Sequence, residues 1–118
     1  MEIFIVSWES QRFEQLAGPM LEKGWDVRSE VEDARQVYQY IKRWMPALVV
    51  VDLSLRASHG TAVAHNMSKT RATQDIPIVF VTEDAAQIRM LSSRFEDADF
   101  VAAQRLAEFI DDEYEVVK

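Results

Sequence analysis

The 118-residue chain is 48% hydrophobic, with three Trp, three Tyr and six Phe, enough apolar side chain for one domain with a core of its own. Twenty acidic against thirteen basic residues leave a formal charge of -7, which disfavours sequence-independent contact with nucleic-acid phosphates or an anionic membrane. Cysteine is absent, which excludes a disulfide framework and thiolate metal or redox chemistry; the opening MEIFIVSWES lacks the form of a signal peptide and no apolar run reaches spanning length, so a cytoplasmic location is expected.

No repeat, low-complexity tract or Pro/Gly/Ser-rich linker divides the chain, and residues 1–118 are read as one domain. EIFIVS, Glu2 to Ser7, is the first β-branched run of the kind expected for a strand buried on both faces. Phe13, Leu16 and Met20 follow at helical spacing. Within this first helix Gly18-Pro19 predicts a kink or a break, because proline lacks an amide donor and its ring clashes with the carbonyl of Gln15. WDVR, from Trp25, is a weaker strand, and Val37, Ile41 and Trp44 mark a second helix. ALVVVD, Ala47 to Asp52, is a second strong strand that ends on an acid. A third helix is predicted over about 61–70, after Gly60. IPIVFVT, Ile76 to Thr82, is the next strand, and Glu83 and Asp84 then suit the N-terminus of a helix running to about Arg94. DFVA, from Asp99, is a weak fifth strand, and Leu106, Phe109 and Ile110 define the last helix.

Five strands alternating with five helices predict an α/β domain: an open parallel sheet covered on both faces, with right-handed crossovers. Such doubly wound sheets hold their working site at the carboxyl ends of the strands, where Ser7, Asp52, Thr82 and the residues after Phe100 fall. Taken alone, Asp52 either caps a turn or is a carboxylate held at the sheet edge for chemistry, and Thr82 is an ordinary strand residue. His59 and His65, six residues apart, do not share a helical face and make a poor metal pair. Met67 and Met90 read as packing or adaptable surface. The chain carries no glycine-rich phosphate loop, no spacing that supports a Ser-His-Asp arrangement and no zinc-ligand spacing.

PALVVVDLSLRASHG followed by DIPIVFVTEDA resembles the receiver domain of response regulators, and the resemblance extends over essentially the whole chain. In that family an apolar strand ends in the phosphorylated Asp, a loop closes on Gly, and an Ile-Pro strand ends in Thr. The resemblance implies a flavodoxin-like, three-layer sheet in the order 2-1-3-4-5. It places Asp52 at the phosphoacceptor position, Thr82 and Phe100 at the two switch positions, and the backbone carbonyl of Ser54 at a Mg²⁺ ligand position. Phosphoryl transfer to a carboxylate needs cations to offset the repulsion between two anions.

Several positions depart from the family pattern. Ser7 and Trp8 stand where a pair of acids normally binds Mg²⁺, an ion that demands a near-octahedral oxygen set. Glu9 follows and serves as a ligand only if the loop turns it inward; Trp8 either fills the former metal pocket or is exposed as a partner anchor. Ala103 and Gln104 replace the family's Lys-Pro pair, so the phosphate-pairing lysine is lost. Arg56 and His59 are then the nearest substitute cations by sequence, although both also read as solvated loop residues. Glu83, where the family has a small residue, would repel an incoming phosphate.

These departures imply a pseudo-receiver: a non-enzymatic protein interaction module of bacterial two-component or phosphorelay signalling that works without phosphorylation and without a cofactor. A protein partner or a second copy would be met through the fourth helix, fifth strand and fifth helix, at Gln87, Arg94, Phe100 and Arg105 to Tyr114, with no nucleic acid or membrane involved. One alternative retains phosphorylation of Asp52, with Mg²⁺ held weakly by Glu9, Asp52, water and the Ser54 carbonyl. A second is a small-ligand sensor with a pocket formed by Ser7, Trp8, Asp52 and Thr82. Without chemistry at Asp52, Phe100 reads as a core aromatic.

Overall fold

The computed structural model describes residues 1–29 and 34–114. Strands β1 (Glu2–Val6), β2 (Asp26–Ser29), β3 (Leu48–Asp52), β4 (Ile78–Val81) and β5 (Asp99–Val101) form one sheet in the order β2-β1-β3-β4-β5. Every neighbouring pair is parallel. Helices α1 (Ser10–Glu22), α2 (Ala34–Trp44), α3 (Ala57–Lys69), α4 (Ala85–Arg94) and α5 (Leu106–Glu113) alternate with the strands, and a single 3₁₀ turn at Ala103–Arg105 leads into α5. The predicted flavodoxin-like architecture and strand order are those observed. No helix among the described residues is long and apolar enough to cross a membrane.

The two-residue period of the strands divides the core. Ile3, Ile5, Leu48, Val50, Val79 and Val81 face one way and pack with Leu16, Ala17 and Met20 of α1 and Leu106 and Ile110 of α5. Phe4, Val6, Val49, Val51, Ile78 and Phe80 face the other way, toward Val37 and Ile41 of α2, Val63 and Met67 of α3 and Leu91 of α4. Central β3 is buried at all five positions, as an unbroken apolar run requires when helices cover both faces. Each fully buried aliphatic side chain contributes about 1.5–3 kcal/mol from its removal from water. The parity also fixes the direction of the last strand residues: Asp52 shares the α1 and α5 side with Leu48 and Val50.

Two expectations are corrected. Helix α1 is unbroken through Pro19, which lies in its last turn with its side chain exposed. Gln15 is on the exposed side of the helix as well, and Gly18 has no Cβ to clash with the proline ring. Helix α3 starts four residues before the predicted Thr61, after Arg56 in a left-handed conformation (φ 47°, ψ 51°). Gly60 is therefore not the end of a loop. It lies inside α3 against β3, where an added Cβ would stand 2.8 Å from Val51 Cγ1, so glycine allows the helix to seat on the strand.

Candidate functional site

The carboxyl ends of β1, β3 and β4 meet beside the N-terminal turn of α1. Asp52 closes β3 with only 2% of its side chain exposed, yet it is not left unpaired. Arg12, in the first turn of α1, donates from Nε to Asp52 Oδ2 at 2.9 Å and from Nη2 to Oδ1 at 3.4 Å. Ser54 completes the shell, its amide 3.1 Å from Oδ1 and its hydroxyl 3.0 Å from Oδ2. Four donors thus hold both oxygens, and the charge-assisted arginine fork fixes the orientation of the carboxylate. Arg56 and His59, the nearest substitute cations by sequence, also read as solvated loop residues, and the structure agrees with that second reading. Both are exposed, and the cation that reaches Asp52 is Arg12.

Arg12 was legible in principle. It stands one helical turn before buried Leu16, on the sheet-facing side of α1, and the parity of β3 turns Asp52 to that same side. The signal lay in combining the two periodicities.

The end of β1 carries Ser7, Trp8 and Glu9. Ser7 is buried at 1% exposure, and its hydroxyl donates weakly, over 3.5 Å, to the carbonyl of Glu9. Trp8 is half-buried against the α2–α3 side of the core, with its ring edge-on to His59 at 5.4 Å and 88°. Its Nε1 is enclosed, with no hydrogen-bond partner among the described residues. Trp8 is thus packed against the core and does not stand out as an exposed partner anchor. Glu9 occupies the N-cap position of α1, exposed and without a side-chain cap bond. Among the described residues no group of three His, Cys, Asp or Glu side chains is placed to hold a metal ion.

Thr82 lies just past β4. Its hydroxyl donates to Oε1 of Gln87 and accepts from the amide of Asp84 at 3.0 Å. Asp84 in turn caps α4, accepting from the amides of Ala86 at 2.8 Å and Gln87 at 3.2 Å. A cleft of about 350 Å³ opens here, lined by Arg12, Ser54, Thr82, Glu83, Asp84 and Ala103. Of the residues expected around a ligand pocket, Thr82 lines this cleft, and Ser7, Trp8 and Asp52 do not.

Phe100 is half-buried on β5, with its ring stacked on Phe80 at 5.4 Å and 17°. The surface of α4, β5 and α5 includes exposed Arg94, whose guanidinium lies 5.6 Å from the Phe95 ring centre. Beyond α5, the Tyr114 hydroxyl donates to the Asp99 carboxylate. Burial first, and then the bond to Asp99, push the Tyr114 phenol pKa above its usual range.

No family model matches the sequence, and no similar curated protein is found. The fold does have close likenesses among solved structures. A protein from Chloroflexus aurantiacus described as a response regulator matches with a TM-score of 0.79 at 18% identity, over 94% of each chain. The fold is that of a response-regulator receiver domain. The BeF3-activated N-terminal receiver domain of RstA from Klebsiella pneumoniae has a TM-score of 0.72 at 23% identity, over 92% of this chain and 95% of that one. Chemotaxis protein CheY4 of Vibrio cholerae has a TM-score of 0.78 at 9% identity, over 94% of this chain and 96% of that one. At these identities the likeness is one of fold, so the receiver fold supplies the frame and the site residues must carry any statement of function.

Proposed function

We propose that this receiver-fold domain is a protein interaction module of signal transduction whose working state does not depend on phosphorylation of Asp52. The observation that carries the reading is the ion pair between Arg12 and Asp52. A carboxylate that attacks a phosphoryl group needs an unblocked oxygen and cations arranged around the arriving charge. Here both oxygens are bonded to Arg12 and Ser54, the lysine position is Ala103, and Glu83 lines the nearby cleft.

The residues present do not fit the magnesium ion that the family implies. Ser7 and Trp8 supply no carboxylate, Glu9 is exposed, and a guanidinium already balances the charge of Asp52 on the side of α1. A divalent ion would have to displace that guanidinium and find its remaining ligands in water. Arg12 thus acts as a permanent counter-charge, holding the end of β3 in one arrangement. In this reading the domain turns over no substrate. It meets a protein partner or a second copy through the face of α4, β5 and α5, where Gln87, Arg94 and Phe100 lie.

The test is chemical. The chain is incubated with acetyl phosphate and millimolar Mg²⁺, and its intact mass is followed. The expected result is no added phosphoryl group; an adduct in the native chain that is lost in Asp52→Asn would overturn the reading.

A further inference from the structure

Between α3 and α4 runs a groove of about 510 Å³ that adjoins the α4, β5 and α5 face and shares Gln87 and Arg94 with it. Its α3 wall is kept low by Ala57, Thr61 and Ala62, and its α4 wall is formed by Met90 and Leu91. Met90 is 54% exposed, an apolar side chain left in solvent at the rim of an apolar trough. From Ala57 to Asn66 the lining follows α3 for roughly 14 Å, about two and a half helical turns.

The charge around this groove runs against that of the molecule. The chain as a whole carries -7, yet neither α3 (ASHGTAVAHNMSK) nor α4 (AAQIRMLSSR) contains an acidic residue. Their charged residues are Lys69, Arg89 and Arg94, and Arg56 and Arg71 flank α3; of these, Arg94 lines the groove itself. Acids occur only beyond the helix ends: Glu83 and Asp84 before α4, the latter occupied as its cap, Asp75 after α3, and Glu96 and Asp97 after α4. Among the described residues no ion pair holds Arg89 or Arg94.

We infer that the groove between α3 and α4 docks an acidic amphipathic helix of a partner protein. An apolar floor of this length accepts anchors at i, i+3 or i+4 and i+7, and Arg94, on walls that carry no acid, selects glutamate or aspartate beside them. Docking is coupled to the carboxyl edge of the sheet through Gln87. That side chain lines both this groove and the cleft beside Asp52, and its Oε1 accepts the Thr82 hydroxyl. A helix seated against Gln87 therefore acts on Thr82 through one hydrogen bond. The inference rests on the interaction-module reading and gives it a second surface and a partner chemistry.

The probe is a fluorescein-labelled synthetic helix with leucines at i, i+4 and i+7 and glutamates on its flanks, read by anisotropy and by amide shifts in the ¹⁵N-labelled full chain. The expected shifts map to Ala57, Ala62, Gln87, Met90 and Leu91. Binding is expected to weaken at least about tenfold when the glutamates are replaced by lysines, and likewise in the Met90→Glu chain, whose exposed substitution leaves the fold intact. Equal binding of the acidic and basic probes, shifts confined to β5 and α5, or self-association abolished by Met90→Glu would each overturn the inference. None of these outcomes depends on whether acetyl phosphate forms an adduct, so the groove and the phosphorylation-independent reading can fail separately.

Discussion

Removing Arg12 should destabilise the domain more than removing Asp52, and the difference follows from where each side chain sits. Asp52 is 2% exposed and Arg12 25% exposed. In Arg12→Ala the carboxylate stays buried, with only the two Ser54 donors left. Two unit charges about 4 Å apart at an effective dielectric near 20 attract by about 4 kcal/mol. Ordering the arginine chain offsets about 2 kcal/mol, and its residual exposure keeps the net below the 3–5 kcal/mol seen when a fully buried pair is broken. Arg12→Ala should therefore cost about 2 kcal/mol. In Asp52→Ala the guanidinium can turn to water and no buried charge is stranded, so the loss should be about 1 kcal/mol or less. Arg12→Ala made in the Asp52→Ala background should then cost almost nothing. Urea unfolding followed by circular dichroism measures all four corners of the cycle, and with a slope of about 1–2 kcal/mol/M the single Arg12 change lowers the midpoint by about 1–2 M. Equal losses from Arg12→Ala with and without Asp52 would refute the reasoning, because the pair would then contribute no coupling.

Three further outcomes follow from the packing. Gly60→Ala should lose about 1 kcal/mol in the same unfolding assay, because the new Cβ meets the stiff Val51 side chain at 2.8 Å and overpacking outweighs the helix-propensity gain; a more stable variant would contradict this seating of α3. Trp8→Ala should cost about 2–3 kcal/mol, roughly half to two-thirds of a fully buried aromatic, whereas a loss below about 0.5 kcal/mol would mean that the indole is not packed. The raised pKa of Tyr114 means that the folded phenol keeps its proton to higher pH than the unfolded one. Its contribution is fully present below about pH 10 and lost as pH rises further, so Tyr114→Phe should flatten the decline in urea midpoint above about pH 10; parallel declines in both chains would refute the assignment.

Much of the frame could be read from residue order because the three strongest strands are short β-branched runs buried on both faces and the helices between them keep a clear apolar stripe. The boundaries were harder. Pro19 signalled a break, but its effect depends on where the freed Gln15 carbonyl points, and that is set by the position of α1 on the sheet. Gly60 resembled a loop end, but it serves close contact between α3 and Val51, which no local pattern encodes. At the site, Asp52, Thr82, Ser7, Trp8 and Ala103 were visible because strand ends are local features of the sequence. The Arg12 to Asp52 pair spans forty residues and arises where two periodicities intersect.

The most direct measurement is a ¹H–¹⁵N spectrum of the full chain titrated with millimolar Mg²⁺ and then beryllofluoride, a stand-in for the phosphoryl group. With Arg12 and Ser54 occupying both oxygens of Asp52, the amides of Leu53, Ser54, Thr82 and Glu83 should stay in place through both additions. Saturable shifts at those amides that disappear in Asp52→Asn would mean that the carboxylate is available to metal and phosphate, and would contradict an interaction module that works without them.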